Sequence, residues 1–333
     1  MLLNGVKNFH KNNKMKNKIN LYLPIAIVVV LVGFYVYSKV QKSNWVKEAP
    51  AIKYTEEREN QVWGGVLRGD DAGLFYGTPL YDLADEMSGF SFLRNQNKIA
   101  TLISELPQEY INYQEEKYGK TIGHFALFTG NYKAIHLLLD RGLNPNVLDK
   151  NGSAIIIDIN DFYDNGAEKL QLLKHMIKKG ANVNLAGGQN ETPLTRAARS
   201  GNLTNFKILI NAGANPHFFQ EMTVEGRHFR YTSALATALN YGHINIVNYL
   251  IFDQKVDFRI HKYPDWSKFH PGEYEILFLL RDEMRFKLNS KDYKEKLKLV
   301  AYLKTQGLDY WKTPIPDNMS SNSNYTQEYL SKY

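Results

Sequence analysis

The residues that could carry chemistry are few and scattered. His217, His228, His261 and His270 lie in two irregular stretches, and imidazoles of this kind can bind zinc, but their spacing matches no ligand pattern. The sequence contains no G-x-x-x-x-G-K-[ST], no H-E-x-x-H and no G-x-S-x-G. The absence of cysteine excludes disulfides, thiol nucleophiles and cysteine zinc sites. We therefore predict no enzymatic activity, no metal and no cofactor.

Aromatic and arginine residues in the same two stretches are better suited to binding a protein. One stretch covers residues 217–231 and the other, FRIHKYPDWSKFHPGEY, covers residues 258–274. Exposed aromatic side chains beside arginine are common anchors of protein interfaces. The alternative is that these rings fill space inside an irregular part of the fold. The candidate partner-binding residues are Phe219, Arg227, Phe229, Tyr263 and Trp266.

The positive net charge does not indicate nucleic-acid binding. The chain has 41 basic and 34 acidic residues, giving +7. Residues 1–47 contain eight lysines and no acid, so residues 48–333 hold 33 basic and 34 acidic residues. Non-specific binding to nucleic acid needs a basic surface that displaces counterions. A nearly neutral remainder argues against such a surface.

A helix–turn–helix unit can be read from Asn190–Pro216, NETPLTRAARSGNLTNFKILINAGANP. Thr192 is suited to cap a helix that begins with Pro193, where the missing N–H does no harm. Gly201 supplies the turn between two helices, and Gly213 can end the second in a left-handed conformation. The apolar positions of the two helices are Leu194, Ala197, Ala198, Phe206, Leu209 and Ile210.

The unit recurs along the chain. Gly119 to Gly152 is 33 positions, Gly142 to Gly180 is 38, and Gly180 to Gly213 is 33 again. A period of 33 with a helix–turn–helix unit resembles the ankyrin repeat. The resemblance covers about residues 118–257 and extends more weakly over 77–312.

Particular residues carry the ankyrin resemblance. Thr192-Pro193-Leu194 matches the T-P-L start of the repeat, and a further T-P-L lies at residues 78–80. His124 occupies the family's histidine position, although Ile122 and Gly123 replace the usual Pro and Leu. The resemblance implies an all-α ankyrin-repeat solenoid of about 5–6 repeats. It also implies a role in binding proteins without catalysis. His124 and His243 are expected to tie turns or repeats together.

The segment Ile19–Ser38 contains twenty residues without a charge. At about 1.5 Å per residue a helix of this length spans about 30 Å, the thickness of a bilayer core. Five lysines precede the segment and three follow it, which predicts a cytoplasmic N-terminus and an external remainder. The alternative is a signal peptide cleaved before Lys39.

These observations predict one membrane anchor and one repeat domain. The resemblance to bacterial ankyrin proteins of the inner membrane implies a periplasmic immunity protein that neutralises a secreted toxin, such as a type VI lipase. Three alternatives remain: an envelope scaffold, an enzyme with its site in residues 258–312, and a repeat domain in the cytoplasm or a host cell. The predicted segments are a basic cytoplasmic tail (1–18), a transmembrane helix (19–38), a juxtamembrane linker (39–76), an ankyrin-repeat domain (77–312) and a flexible tail (313–333).

Overall fold

The computed structural model describes Gly33 and residues 67–89, 91–160, 166–224, 228–262, 272–315 and 326–332, without the side chains of 221–231. Apart from Gly33, these residues belong to one compact unit, Glu59–Tyr333. The predicted transmembrane segment, except for Gly33, lies outside the described residues. Within the described part of the chain, no helix has both the length and the apolar character needed to cross a bilayer.

The described residues of this unit form successive helix pairs. A short helix, α13, follows the last pair at Gln327–Lys332. The six pairs are α1 Tyr81–Met87 with α2 Gln96–Glu105, α3 Ile122–Phe128 with α4 Tyr132–Asp140, α5 Ile155–Asp158 with α6 Ala167–Lys178, α7 Pro193–Ser200 with α8 Leu203–Asn211, α9 Ala234–Asn240 with α10 Ile244–Asn248, and α11 Glu275–Asp282 with α12 Lys291–Thr305.

The pairs stack in the order of the sequence. The first helices touch one another in the order α1, α3, α5, α7, α9 and α11, and the second helices in the order α2, α4, α6, α8, α10 and α12. Each pair therefore buries its apolar side against its neighbours, as in a solenoid. The predicted serial stack of helical hairpins is confirmed over these residues.

The ends of the helices follow the residues predicted to set them. The Thr192 N–H donates to Thr195 Oγ1 at 2.7 Å, and the Thr195 N–H donates to Thr192 Oγ1 at 3.2 Å. Together these bonds form a capping box at the start of α7. Gly201 ends α7 with a φ of 72°, and a Cβ there would lie 2.5 Å from the His243 ring. Both its backbone conformation and its surroundings require glycine.

The core continues from pair to pair. Phe75 and Phe125 meet edge to face at 5.8 Å between ring centroids, and both side chains are fully buried. Gly123, which departs from the ankyrin pattern, faces a large neighbour instead. A Cβ on Gly123 would lie 2.5 Å from Ile155 Cδ1 in the next pair. The Ile155 side chain therefore fills the space that a side chain at position 123 would need.

A β-hairpin occupies the connection between α8 and α9. Strand β1, Gln220–Val224, pairs antiparallel with β2, His228–Thr232, and Gln220 lies opposite Thr232. The sequence predicted an irregular stretch over 217–231. The paired strands give it a regular backbone, so the described residues contain a two-stranded sheet among their helices.

Part of the predicted flexible tail, 313–333, is folded in the structure. The Tyr293 hydroxyl of α12 donates to the Lys332 carbonyl at 2.6 Å, and the Tyr329 hydroxyl donates to the Phe286 carbonyl at 3.0 Å. Leu330 is buried beside Ile315. Residues 326–332 therefore pack against the last helix pair, where the solenoid would otherwise end.

Candidate protein-binding surface

Three of the first helices carry an exposed aromatic side chain or an arginine at their C-terminal ends. Phe128 lies at the end of α3 and is 59% exposed, and Tyr241 directly follows α9 and is 52% exposed. Arg199, in the last turn of α7, places its guanidinium carbon 5.7 Å from the Tyr241 ring centroid. Because the first helices stack in order, their C-terminal ends follow one another along the solenoid. We call Phe128, Arg199 and Tyr241 the aromatic–arginine strip.

One carboxylate holds the arginines of α7 in place. Arg196 approaches Glu191 Oε2 at 2.6 Å, and Arg199 pairs with Glu191 Oε1. The Glu191 side chain is mostly buried and lies just before the helix. A guanidinium fixed in this way loses little side-chain freedom when it binds a partner. The arginine of the strip is therefore positioned before any partner arrives.

The loops that join the pairs are tied together by asparagines. Asn146 accepts the N–H of Asn182 at 2.7 Å and donates to the Gly180 carbonyl at 3.1 Å. In the next repeat, Asn184 accepts the N–H of Asn215 at 2.8 Å. We call these side-chain bonds between successive loops the asparagine ladder. It fixes the spacing of neighbouring loops and thereby the spacing of the helices that follow them.

The two histidines predicted to be structural make bonds between repeats. His124 Nδ1 accepts the N–H of Thr121 at 3.1 Å, and its Nε2–H donates to the Ser153 carbonyl at 3.2 Å. Burial lowers the pKa of His124. The His243 Nε2–H donates to the Arg199 carbonyl at 2.9 Å. Both predictions are confirmed, and His243 also links α10 to the end of α7.

The structure describes one predicted partner-binding side chain, Phe219. Its ring meets the buried ring of His261 edge to face, with 5.2 Å between centroids. Phe219 is only partly buried, so its role in partner binding stays a prediction. Phe229 lies in β2, and its side chain is not among those described. Arg227, Tyr263 and Trp266 lie outside the described residues, so their role stays a prediction.

Of the four histidines considered for metal binding, the structure describes the side chains of His217 and His261. His261 Nε2 lies 2.7 Å from Ser233 Oγ, the cap of α9, and burial lowers the pKa of His261 to about 4. His217 is exposed in a loop, and His270 lies outside the described residues. Among the residues that the structure describes, no three His, Asp or Glu side chains are arranged as metal ligands.

A buried lysine in the last helix pair is the strongest chemical feature of residues 258–312. Lys296 is fully buried, donates to the Met284 carbonyl at 3.2 Å and lies 5.0 Å from the Tyr310 ring centroid. Arg281 covers the same ring at 4.3 Å. Burial, and secondarily the Arg281 charge, lowers the pKa of Lys296 to about 6. The alternative of an enzyme site in residues 258–312 stays a prediction, and residues 263–271 of that region lie outside the described residues.

Comparison with known proteins shows what part of the repeat stack is similar to. Residues 164–262, less than a third of the chain, match the family model for ankyrin repeats in three copies. A protein of Acanthamoeba polyphaga mimivirus, named as an ankyrin repeat protein, is 35% identical over 86 residues. The match covers 25% of this chain and 51% of that relative, so the chain spans about half of the relative's length. Residues 164–262 thus contain ankyrin repeats, and the helix pairs on either side continue the same stack.

Proposed function

We propose that the chain is a protein-binding module whose aromatic–arginine strip is the contact surface. Ankyrin repeats are in general protein interaction modules. The observation that carries the proposal is the exposure of Phe128 and Tyr241 at the ends of α3 and α9, together with the pre-positioned Arg199 of α7. Aromatic and arginine anchors on a rigid support are the residues that most often dominate binding energy.

The proposal is tested with a partner captured by cross-linking to the full chain. Its affinity is then measured by titration against the wild type and the double variant Phe128→Ser with Tyr241→Ser. Loss of two anchors of about 2 kcal/mol each predicts at least a hundredfold weaker binding. Phe92→Ser is the control, because Phe92 is 66% exposed but precedes α2. Equal binding by the wild type and the double variant would refute the strip as the contact surface.

The membrane anchor is part of the proposal. The uncharged segment Ile19–Ser38 and its surplus of preceding lysines support a single pass through the bacterial inner membrane, with the repeats in the periplasm. A reporter enzyme that works only in the periplasm should be active when it is fused after Tyr333. Activity of a fused reporter that works only in the cytoplasm would contradict this orientation. N-terminal sequencing of the mature chain distinguishes the anchor from a signal peptide cleaved before Lys39.

The proposed partner is a cognate secreted toxin, such as a lipase delivered by a type VI system. The resemblance to membrane-anchored bacterial ankyrin proteins supports this assignment, and a tether at the membrane would suit a toxin that attacks lipid. Co-expression of the wild type with a toxin encoded beside it should restore growth, and the strip double variant should not. A stable complex with resident envelope proteins, without protection from the toxin, would favour the alternative of an envelope adaptor.

A further inference from the structure

Two histidines meet between the second helices of neighbouring repeats. His136 lies on α4 and His175 on α6, and their Nδ1 atoms are 2.6 Å apart. The rings are nearly parallel, with 18° between their planes and 4.9 Å between centroids. Both side chains are partly buried. The contact joins the second helix pair to the third, on the layer of the stack away from the aromatic–arginine strip.

A neighbouring carboxylate fixes where the protons lie. His175 Nε2 is 3.2 Å from Asp140 Oδ1, so this nitrogen carries a proton. When His175 is neutral, its Nδ1 is therefore an acceptor, and His136 must donate from Nδ1. When His175 is charged, it donates from Nδ1 and His136 must accept. The pair can hold one extra proton without losing its contact, but a second would place two N–H groups and two charges face to face.

Other charged groups limit how far Asp140 can stabilise a positive charge on the histidine pair. Asp140 Oδ1 also binds Lys179 Nζ at 2.8 Å, so its charge is shared. Glu168, in the first turn of α6, is the other acid that acts on His136. Burial, and next the neighbouring His175, lowers the pKa of His136. The surroundings therefore disfavour a charge on His136 despite the two acids.

Three other helices, α2, α3 and α8, contact α4 or α6 and carry charged or titratable side chains. Lys98 of α2 binds Glu86 at 2.8 Å, and Glu105 lies at the C-terminal end of the same helix. His124 of α3 uses both ring nitrogens in its bonds to Thr121 and Ser153, and Lys207 of α8 lies over the Tyr249 ring at 4.7 Å. The proton balance of the histidine pair is therefore set mainly by α4 and α6.

We propose that the His136–His175 contact is a proton-sensitive latch, closed near neutral pH and opened when both rings become charged. Opening would separate the second helices of the second and third pairs. Because each pair contacts only its neighbours, the stack would loosen at this junction, between Phe128 of the second pair and Arg199 of the fourth. This device goes beyond the proposed binding function and does not depend on the identity of a partner.

Hydrogen exchange on the full chain tests the latch, with rates corrected for the intrinsic effect of pH. Between about pH 7.5 and about pH 5, amides of α4 and α6 should lose about tenfold more protection than those of α8 and α10. His136→Gln can still donate but cannot be charged, so it should abolish this excess loss. His217→Gln is the control, because it removes an exposed imidazole outside the pair. The same acid response in the wild type and His136→Gln would overturn the proposal.

An NMR titration of the imidazoles keeps the test valid should His136→Gln fail to fold. In the wild-type chain the His136 ring should become charged only below the ordinary histidine range, because burial and His175 lower its pKa. Asp140→Asn removes the acid that stabilises the closed pair when it carries one charge. The closed contact should therefore be lost at a higher pH. An ordinary midpoint for His136 that Asp140→Asn leaves unchanged would overturn the latch.

Discussion

At the scale of single residues, local chemistry and contacts between repeats follow different rules. The Thr192 cap and the turn at Gly201 depend on a few adjacent residues, and the sequence predicted both. The fit of Gly123 against Ile155 joins two repeats 32 positions apart. The sequence showed Gly123 only as a departure from the ankyrin pattern, because the side chain that fills the space beside it belongs to the next repeat.

The first prediction concerns this fit. Gly123→Leu restores the ankyrin pattern but should destabilise the fold by about 1–3 kcal/mol, because the space is already filled. Ile155 Cδ1 and Leu143 Cδ2 would lie 2.5 and 2.7 Å from the new Cβ. Urea unfolding measures the change. Ile155→Ala in the same chain should recover part of the loss, and a cost unaffected by Ile155→Ala would contradict the explanation.

The second prediction concerns the buried His261. Its pKa is lowered from 6.5 to about 4 by burial, so in acid the unfolded chain binds a proton that the folded chain does not. Stability should therefore fall as pH drops from about 6.5 towards about 4, by about 3 kcal/mol at most. Unfolding midpoints over this range, compared between wild type and His261→Gln, measure it. Parallel pH profiles for the two proteins would contradict the assignment.

At the scale of elements, the sequence predicted the helix pairs but not the β-hairpin or α13. The helix pairs follow from repeating apolar positions, caps and glycine turns. The β-hairpin and α13 occur once each, so no repetition marks them. The asparagine ladder did have a signal, since GLNPN and GANVN end successive repeats at residues 142–146 and 180–184. The bonds from one asparagine set to the next could not be predicted, because they depend on how the loops lie side by side in the stack.

The third prediction tests the ladder. Asn146→Ala removes both side-chain bonds to the next loop and leaves the Asn182 N–H without this acceptor. We expect a loss of about 1–2 kcal/mol in unfolding free energy. Asn182→Ala is a matched control, because the Asn182 side chain accepts only the local N–H of Asn184 among the described bonds. Equal losses for the two variants would argue against coupling between repeats.

At the scale of the whole molecule, the candidate surface arises from stacking. Phe128, Arg199 and Tyr241 belong to different repeats, and none of them stands out in the sequence. Sequence reasoning selected aromatic residues in the irregular stretches instead, and the described member of that set, Phe219, packs against His261. Composition identifies residues able to bind, but their exposure depends on how neighbouring repeats cover them.

The fourth prediction concerns the end of the stack. Deletion of residues 326–333 removes α13 together with the bonds from Tyr293 and Tyr329 and the buried Leu330. We expect a loss of about 2–4 kcal/mol, because the last helix pair loses its cover. Thermal unfolding measures the change. Ser331→Ala is a mild control in the same helix, since its hydroxyl bonds only the Glu328 carbonyl among the described contacts. An unchanged unfolding temperature after deletion would show that α13 adds nothing to stability.

The order of contacts along the stack also bears on how the chain is made. Each helix pair touches the pair synthesised before it and the pair synthesised after it. A newly made pair can therefore dock on a finished template as it emerges, without waiting for distant segments. Folding can then proceed along the stack in the order in which the pairs are synthesised, and α13 packs against the sixth pair once that pair has formed.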